Sequence, residues 1–180
     1  MAGYKGMALV LLRQWIRAAG PDVERQVLEQ LTPEEQIAYA SLVATAWVPV
    51  ELATKLYVVA SPLLYPKDPR PLRQVGRDLA RENLGGVFRF VVRVISVAML
   101  VDKTASLWRS FHDRGAARAI READHMIRFE VTDYPELPER MRETIVGWLA
   151  QAIELTGAKN VRVVKSDDDP RTWTWTATWR

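Results

Sequence analysis

The 180-residue chain contains no cysteine and only two histidines, His112 and His125. A disulfide framework, a thiolate zinc site, an iron–sulfur cluster, a catalytic thiol and a palmitoyl anchor are therefore excluded. Two imidazoles cannot complete a purely His-based metal site within one chain, so no metal and no cofactor is expected. Long apolar runs are missing as well. The longest uncharged stretch, 36–50, and the apolar 94–101 both fall short of the roughly 18 residues that mark a membrane span. The apolar segment Met7–Leu12 is interrupted by Arg13 and Arg17, which is too short for a secretory signal. These features predict a cytoplasmic protein. Charge of one sign is scarce too: 25 basic and 22 acidic residues leave a net +3. A pI near 9.3 on so small an excess is only a slight pull toward polyanions.

An apolar share of 48% and a charged share of 26% exclude disorder and collagen and fit one globular domain over residues 1–180. Helical periodicity fills the first part, 1–113. Met7, Val10, Leu11, Trp15 and Ala18 share one stripe, and Gly20-Pro21 ends it. Val23, Val27, Leu28 and Leu31 mark a second helix. Thr32-Pro33-Glu34-Glu35 is a helix start, with Thr as N-cap, Pro at the first position and acids in the first turn. Pro49 opens a helix running to about Leu64, which Pro62 should end or kink. Leu72–Leu84 is a helix closed by Gly85-Gly86. Val87–Leu100 reads as a nearly apolar central helix, and Thr104–Asp113 as another.

The period changes in 114–180. Ile127, Phe129 and Val131 alternate with Met126, Arg128 and Glu130, so 126–131 is a half-buried strand paired with 116–121. Leu137–Leu155 is a long amphipathic helix. Two strands follow, Val161–Lys165 and Arg171–Arg180. In the last, Trp173, Trp175, Ala177 and Trp179 take one face and Thr172, Thr174, Thr176 and Thr178 the other. The predicted class is α+β: a helical layer followed by a four-stranded antiparallel sheet, ββαββ, packed on the long helix.

Several short motifs occur in a fixed order: Lys5-Gly6, Trp47-Val48-Pro49, Val75-Gly76-Arg77, Trp108-Arg109, Phe111, Asp113-Arg114-Gly115, Thr156-Gly157-Ala158 and a closing Trp179. With this element order, the chain resembles a bacterial family of unknown function expanded in myxobacteria. It also resembles the wider superfamily of heme-nitric-oxide-binding domains, vinyl-reductase-type ligand-binding domains and vesicle-tethering TRAPP subunits. The resemblance implies a fold that binds small molecules between helices and sheet and often pairs with itself. It does not carry the chemistry. The iron-bearing histidine of the heme-binding relatives would fall in 89–102, which has none, and their Tyr-x-Ser-x-Arg strand is absent from 127–134. No heme is expected.

The expected function is thus a non-enzymatic small-molecule-binding or protein-interaction domain, a sensor or scaffold in signalling, with no catalytic residue. Trp47, Phe88, Trp108 and Phe111 would line an apolar ligand's pocket. A homodimer is expected through Leu9, Leu12 and Ile16, which lie opposite the Leu11 and Trp15 stripe. Arg70, Arg73, Arg77 and Arg81 share one helix face. They support an alternative, a nucleic-acid-binding or phosphate-binding protein, against the plainer reading of a solvated face. His112 beside Asp113 resembles an acid–base pair, but a histidine favoured by a helix C-terminus explains it as well. Asp167, Asp168 and Asp169 lack the spacing of a calcium loop and fit a solvated turn. The three late tryptophans fit an aromatic platform less well than a sheet–helix core.

Overall fold

A computed structural model describes residues 2–88, 96–166, 168–169 and 171–180, except for the side chains of 85–88. Strand β1 (Gly3–Lys5) leads into α1 (Gly6–Ala18), α2 (Pro21–Glu29) and α3 (Pro33–Ala40). Helix α3 starts as its sequence dictates. The Thr32 side chain accepts from the Glu35 amide while the Glu35 carboxylate accepts from the Thr32 amide, a reciprocal cap. Strand β2 (Trp47–Pro49) pairs antiparallel with β1, Tyr4 opposite Val48. This ribbon was not predicted, because three-residue strands carry no period to detect.

Helix α4 (Val50–Leu64) runs through Pro62 to Leu64. Helix α5 (Pro71–Phe88) likewise continues past Gly85-Gly86 to Phe88. Residues 89–95 of the expected central helix 87–100 lie outside the described residues, and its first two positions end α5. Its last four positions belong to α6 (Val97–Phe111), which starts on a Ser96 cap rather than near Thr104.

Strands β3 (Ala116–Ala123) and β4 (Met126–Thr132), helix α7 (Glu139–Glu154), and strands β5 (Arg162–Ser166) and β6 (Thr172–Thr178) complete the chain. The sheet order is β3-β4-β6-β5, antiparallel throughout, as the ββαββ pattern predicts. Phe129 faces Trp175 and Val131 faces Trp173 across the central pair. Trp173, Trp175 and Ala177 are buried on the helix side. The threonines of β6 are half-buried or exposed, so the register is the predicted one.

Helix α7 crosses α5 at backbone contact distance. A Cβ on Gly76 would lie 1.9 Å from the Thr144 carbonyl oxygen, and one on Gly147 would lie 1.8 Å from that of Arg73. Only glycine fits at either position. One buried cluster runs from Ala2 and Leu9 through Leu56 and Val75 to Ile153 and Trp175, joining the helical layer to the sheet.

The expected polarity of α1 is reversed. Leu9, Leu12 and Ile16 are its buried residues, while Met7 is exposed and Val10, Leu11 and Trp15 are half-buried. All sides of this helix carry apolar residues, so periodicity could not choose the inner one. The leucines expected to meet a second copy are used within the chain.

Candidate functional site

The C-terminal end of α6 is fastened to the N-terminal ribbon. The Asp113 amide donates to the Gly3 carbonyl at 3.1 Å, and the Gly3 amide donates to Asp113 Oδ1 at 2.7 Å. Tyr4 forms an antiparallel bridge with His112. Trp108 Nε1 donates to the Arg114 carbonyl at 2.8 Å. Gly115, at φ +78°, turns the chain into β3. On the other side of the ribbon, Lys5 donates to the Thr45 carbonyl and lies over the Trp47 ring, and Gly6 donates to the Ala46 carbonyl. The short motifs at both places therefore fasten distant segments of the chain through backbone and side-chain contacts.

Behind this fastening lies a cavity of about 100 Å³, walled by α5, α6, α7, Tyr4 and the helix-facing side of the sheet. Its walls are mostly apolar, with Leu100, Leu107, Phe129, Trp148 and Leu149 among them. Trp108 and Phe111, two of the predicted pocket residues, line it. Trp47 does not: the residue is 46% exposed on β2, where Lys5 lies over its ring. The Phe88 side chain lies outside the described residues.

His112 lines the same cavity and is buried. Its imidazole stacks on Trp108 at 3.9 Å, with the ring planes 7° apart, and meets the edges of Tyr4 and Tyr134. Burial alone pushes it down from 6.5 to about 3, so it is neutral near pH 7. His112 does end α6 as its C-cap residue, but burial removes the charge through which a helix end would favour it. The acid–base pairing fails as well, since the Asp113 carboxylate holds the Gly3 amide instead. His112 Nδ1 has no hydrogen-bond partner.

The arginine stripe is largely neutralised within the chain. Arg73 pairs with Glu143 at 2.8 Å, Arg77 with Glu154 at 2.6 Å and Arg81 with Asp78. The first two pairs bind α5 to α7. Arg70 is exposed, beside a groove that Arg162 and Lys165 also line. His125 is exposed at the β3–β4 turn, edge-on to Trp179. Asp168 and Asp169 are exposed, and Asp167 lies outside the described residues. Among the described residues, no three His, Asp or Glu side chains gather as a metal site, and no helix is long and apolar enough to cross a membrane.

Sequence reasoning missed Tyr4 and Gly76 as parts of this site, and Gly147 as part of the helix crossing behind it. In the sequence Gly76 stands out only as part of a motif, and Gly147 gives no signal, because close helix approach is a property of a pair.

No protein-family model matches the sequence, and no curated protein matches it. Solved structures do. A single-residue variant of the H-NOX protein from K. algicida, in its unliganded Fe(II) form, matches with a TM-score of 0.69 at 8% identity, over 98% of this chain and 96% of the other. The S. oneidensis H-NOX protein in the Fe(II)NO state matches with a TM-score of 0.67 at 13% identity, over 98% and 99%. The H-NOX protein from Shewanella woodyi, bound to IWP-051, matches with a TM-score of 0.62 at 14% identity, over 96% and 93%. The chain has the fold of H-NOX domains.

Proposed function

We propose that this chain is a non-enzymatic, ligand-sensing domain that holds a small apolar molecule, and no heme, in the cavity between α5, α6, α7 and the sheet. The observation that carries the reading is the cavity itself, lined mostly by apolar side chains at the place where helices and sheet meet. Three features argue against heme. The volume of about 100 Å³ is well below the roughly 300–1,000 Å³ of pockets for drug-sized ligands, and a porphyrin is no smaller than those. No Lys or Arg is found among the described lining residues, so none of these supplies a counter-charge for a propionate. The one histidine present, His112, has a ring face stacked on Trp108 and edges of Tyr4 and Tyr134 around it, which leaves no room for a macrocycle beside it.

The nucleic-acid reading is weakened by the ion pairs of Arg73, Arg77 and Arg81, which engage the charges a phosphate backbone would need. Self-association gains no support from Leu9, Leu12 and Ile16, which are buried. Native mass spectrometry of the purified protein tests the reading, with an expected non-covalent adduct of a small neutral molecule. Hemin titration gives the opposing outcome: a Soret band that His112→Leu abolishes would overturn the heme-free assignment.

A further inference from the structure

Among the described residues that line the cavity, His112 Nδ1 is the one fully buried polar side-chain atom without a hydrogen-bond partner. The other strongly polar side chains in the fully buried part of the described wall are engaged. The Tyr57 hydroxyl donates to the Tyr4 hydroxyl at 3.2 Å. The Thr144 hydroxyl donates to the Met141 carbonyl at 2.6 Å. Glu130 accepts from Arg118 and Arg128. Thr104, half-buried, donates to the Leu100 carbonyl at 2.8 Å, and Asn83 is also only half-buried. Among the described residues, only His112 Nδ1 is buried, lies on a cavity-lining side chain and has no partner.

The imidazole cannot turn away to find one. The Trp108 stack and the Tyr4 and Tyr134 edges fix the ring. The His112 amide donates to the Trp108 carbonyl at 2.9 Å, and Asp113 is tied to Gly3 on both its amide and its carboxylate. A polar atom left unpaired in so apolar a site is costly, and a partner that supplies one hydrogen bond removes the cost. The site is preorganised, so little of the gain is spent on ordering it.

Resting on the ligand-binding reading above, we infer that the cavity selects a neutral, single-ring molecule bearing one hydroxyl or N–H group, whose hydrogen is donated to Nδ1 of His112. Size follows from the volume: a dry cavity of about 150 Å³ accommodates benzene, and about 100 Å³ suits a molecule no larger than one ring. Neutrality follows from the walls. No Lys or Arg meets an anion among the described lining residues, and the one carboxylate, Glu130, is held by two arginines. Aromatic lining from Trp108, Phe111 and Phe129 favours a planar ring.

Phenol, toluene and benzoate are the probes, titrated by isothermal calorimetry at pH 7.5. A purely apolar cavity prefers toluene, because phenol loses hydration without recompense. The expected result is phenol binding at least tenfold tighter than toluene, with no benzoate binding. In His112→Leu the order of phenol and toluene reverses. In case that variant does not fold, nitrogen-15 spectra of the wild-type imidazole give a second readout: the Nδ1 resonance moves with phenol and not with toluene. Toluene binding as tightly as phenol, or benzoate binding at all, would overturn the inference and leave the ligand-binding reading standing. Binding by none of the three together with no native adduct would remove both.

Discussion

Burial of the His112 imidazole makes stability depend on pH. In the unfolded chain it takes up a proton near 6.5, whereas in the folded chain it does so only at about 3. Between those values the unfolded state binds more protons, so the folded state loses ground as pH falls, by up to roughly 1.4 kcal/mol per unit. The contribution is complete above pH 6.5. Glu35, held down by Lys55, and Glu143, held down by Arg73 and Lys165, act in the same direction but only below the ordinary glutamate range near 4.5. Urea denaturation at pH 7.5, 6 and 5 should therefore show a decline in wild type that His112→Leu lacks. Equal slopes would assign the decline to another group. At the same scale, Trp175 is 1% exposed between Phe129 and α7, and its Nε1 donates to the Arg142 carbonyl. Trp175→Ala should cost roughly 3–5 kcal/mol, read as a shift of the denaturation midpoint. Its burial was legible in the alternation of β6. The neutrality of His112 was not, because a residue's neighbours in sequence say nothing about the Tyr4 and Tyr134 rings packed around it.

At the scale of elements, the α5–α7 crossing depends on two glycines facing backbone. Gly147→Ala would bring a Cβ to 1.8 Å from the Arg73 carbonyl oxygen, so the helices must separate. The expected cost is about 1–3 kcal/mol or more, with the Arg73–Glu143 and Arg77–Glu154 pairs strained as well. A thermal midpoint equal to that of wild type would show that the helices yield without loss. The β6 strand offers the contrasting case. Thr174 lies opposite Glu130 and Ser166, on the face away from α7, where a long cation can reach solvent. Thr174→Lys should stay within about 0.5 kcal/mol, whereas a loss as large as that of Trp175→Ala would mean that the threonine face is also covered. Strand alternation and the Thr32 cap were readable because each depends on residues close in sequence. The β1–β2 ribbon joins Gly3 to Pro49 across the length of three helices, and nothing local announces such a pairing.

For the molecule as a whole, the decisive fact is a core shared by the helical layer and the ββαββ unit. Leu12 is 1% exposed within it. Leu12→Asp should accordingly unfold the chain, seen as loss of cooperative melting. A well-folded monomer recovered from a wild-type dimer would restore the interface role of α1. From the sequence alone come the class, the order of the ββαββ elements, the antiparallel hairpins, the inner face of β6 and the exclusion of cysteine chemistry. Those properties follow from composition and from periods of 2 and 3.6 residues, which need no knowledge of distant neighbours. Tertiary structure decided which face of α1 turns inward, which arginines meet carboxylates, and that Trp108, Phe111 and His112 share a cavity from which Trp47 is excluded. The reason is physical: a helix apolar on all sides has no preferred face, and an arginine has no fixed partner. An imidazole likewise has no fixed protonation state until packing sets the dielectric and the neighbours around it.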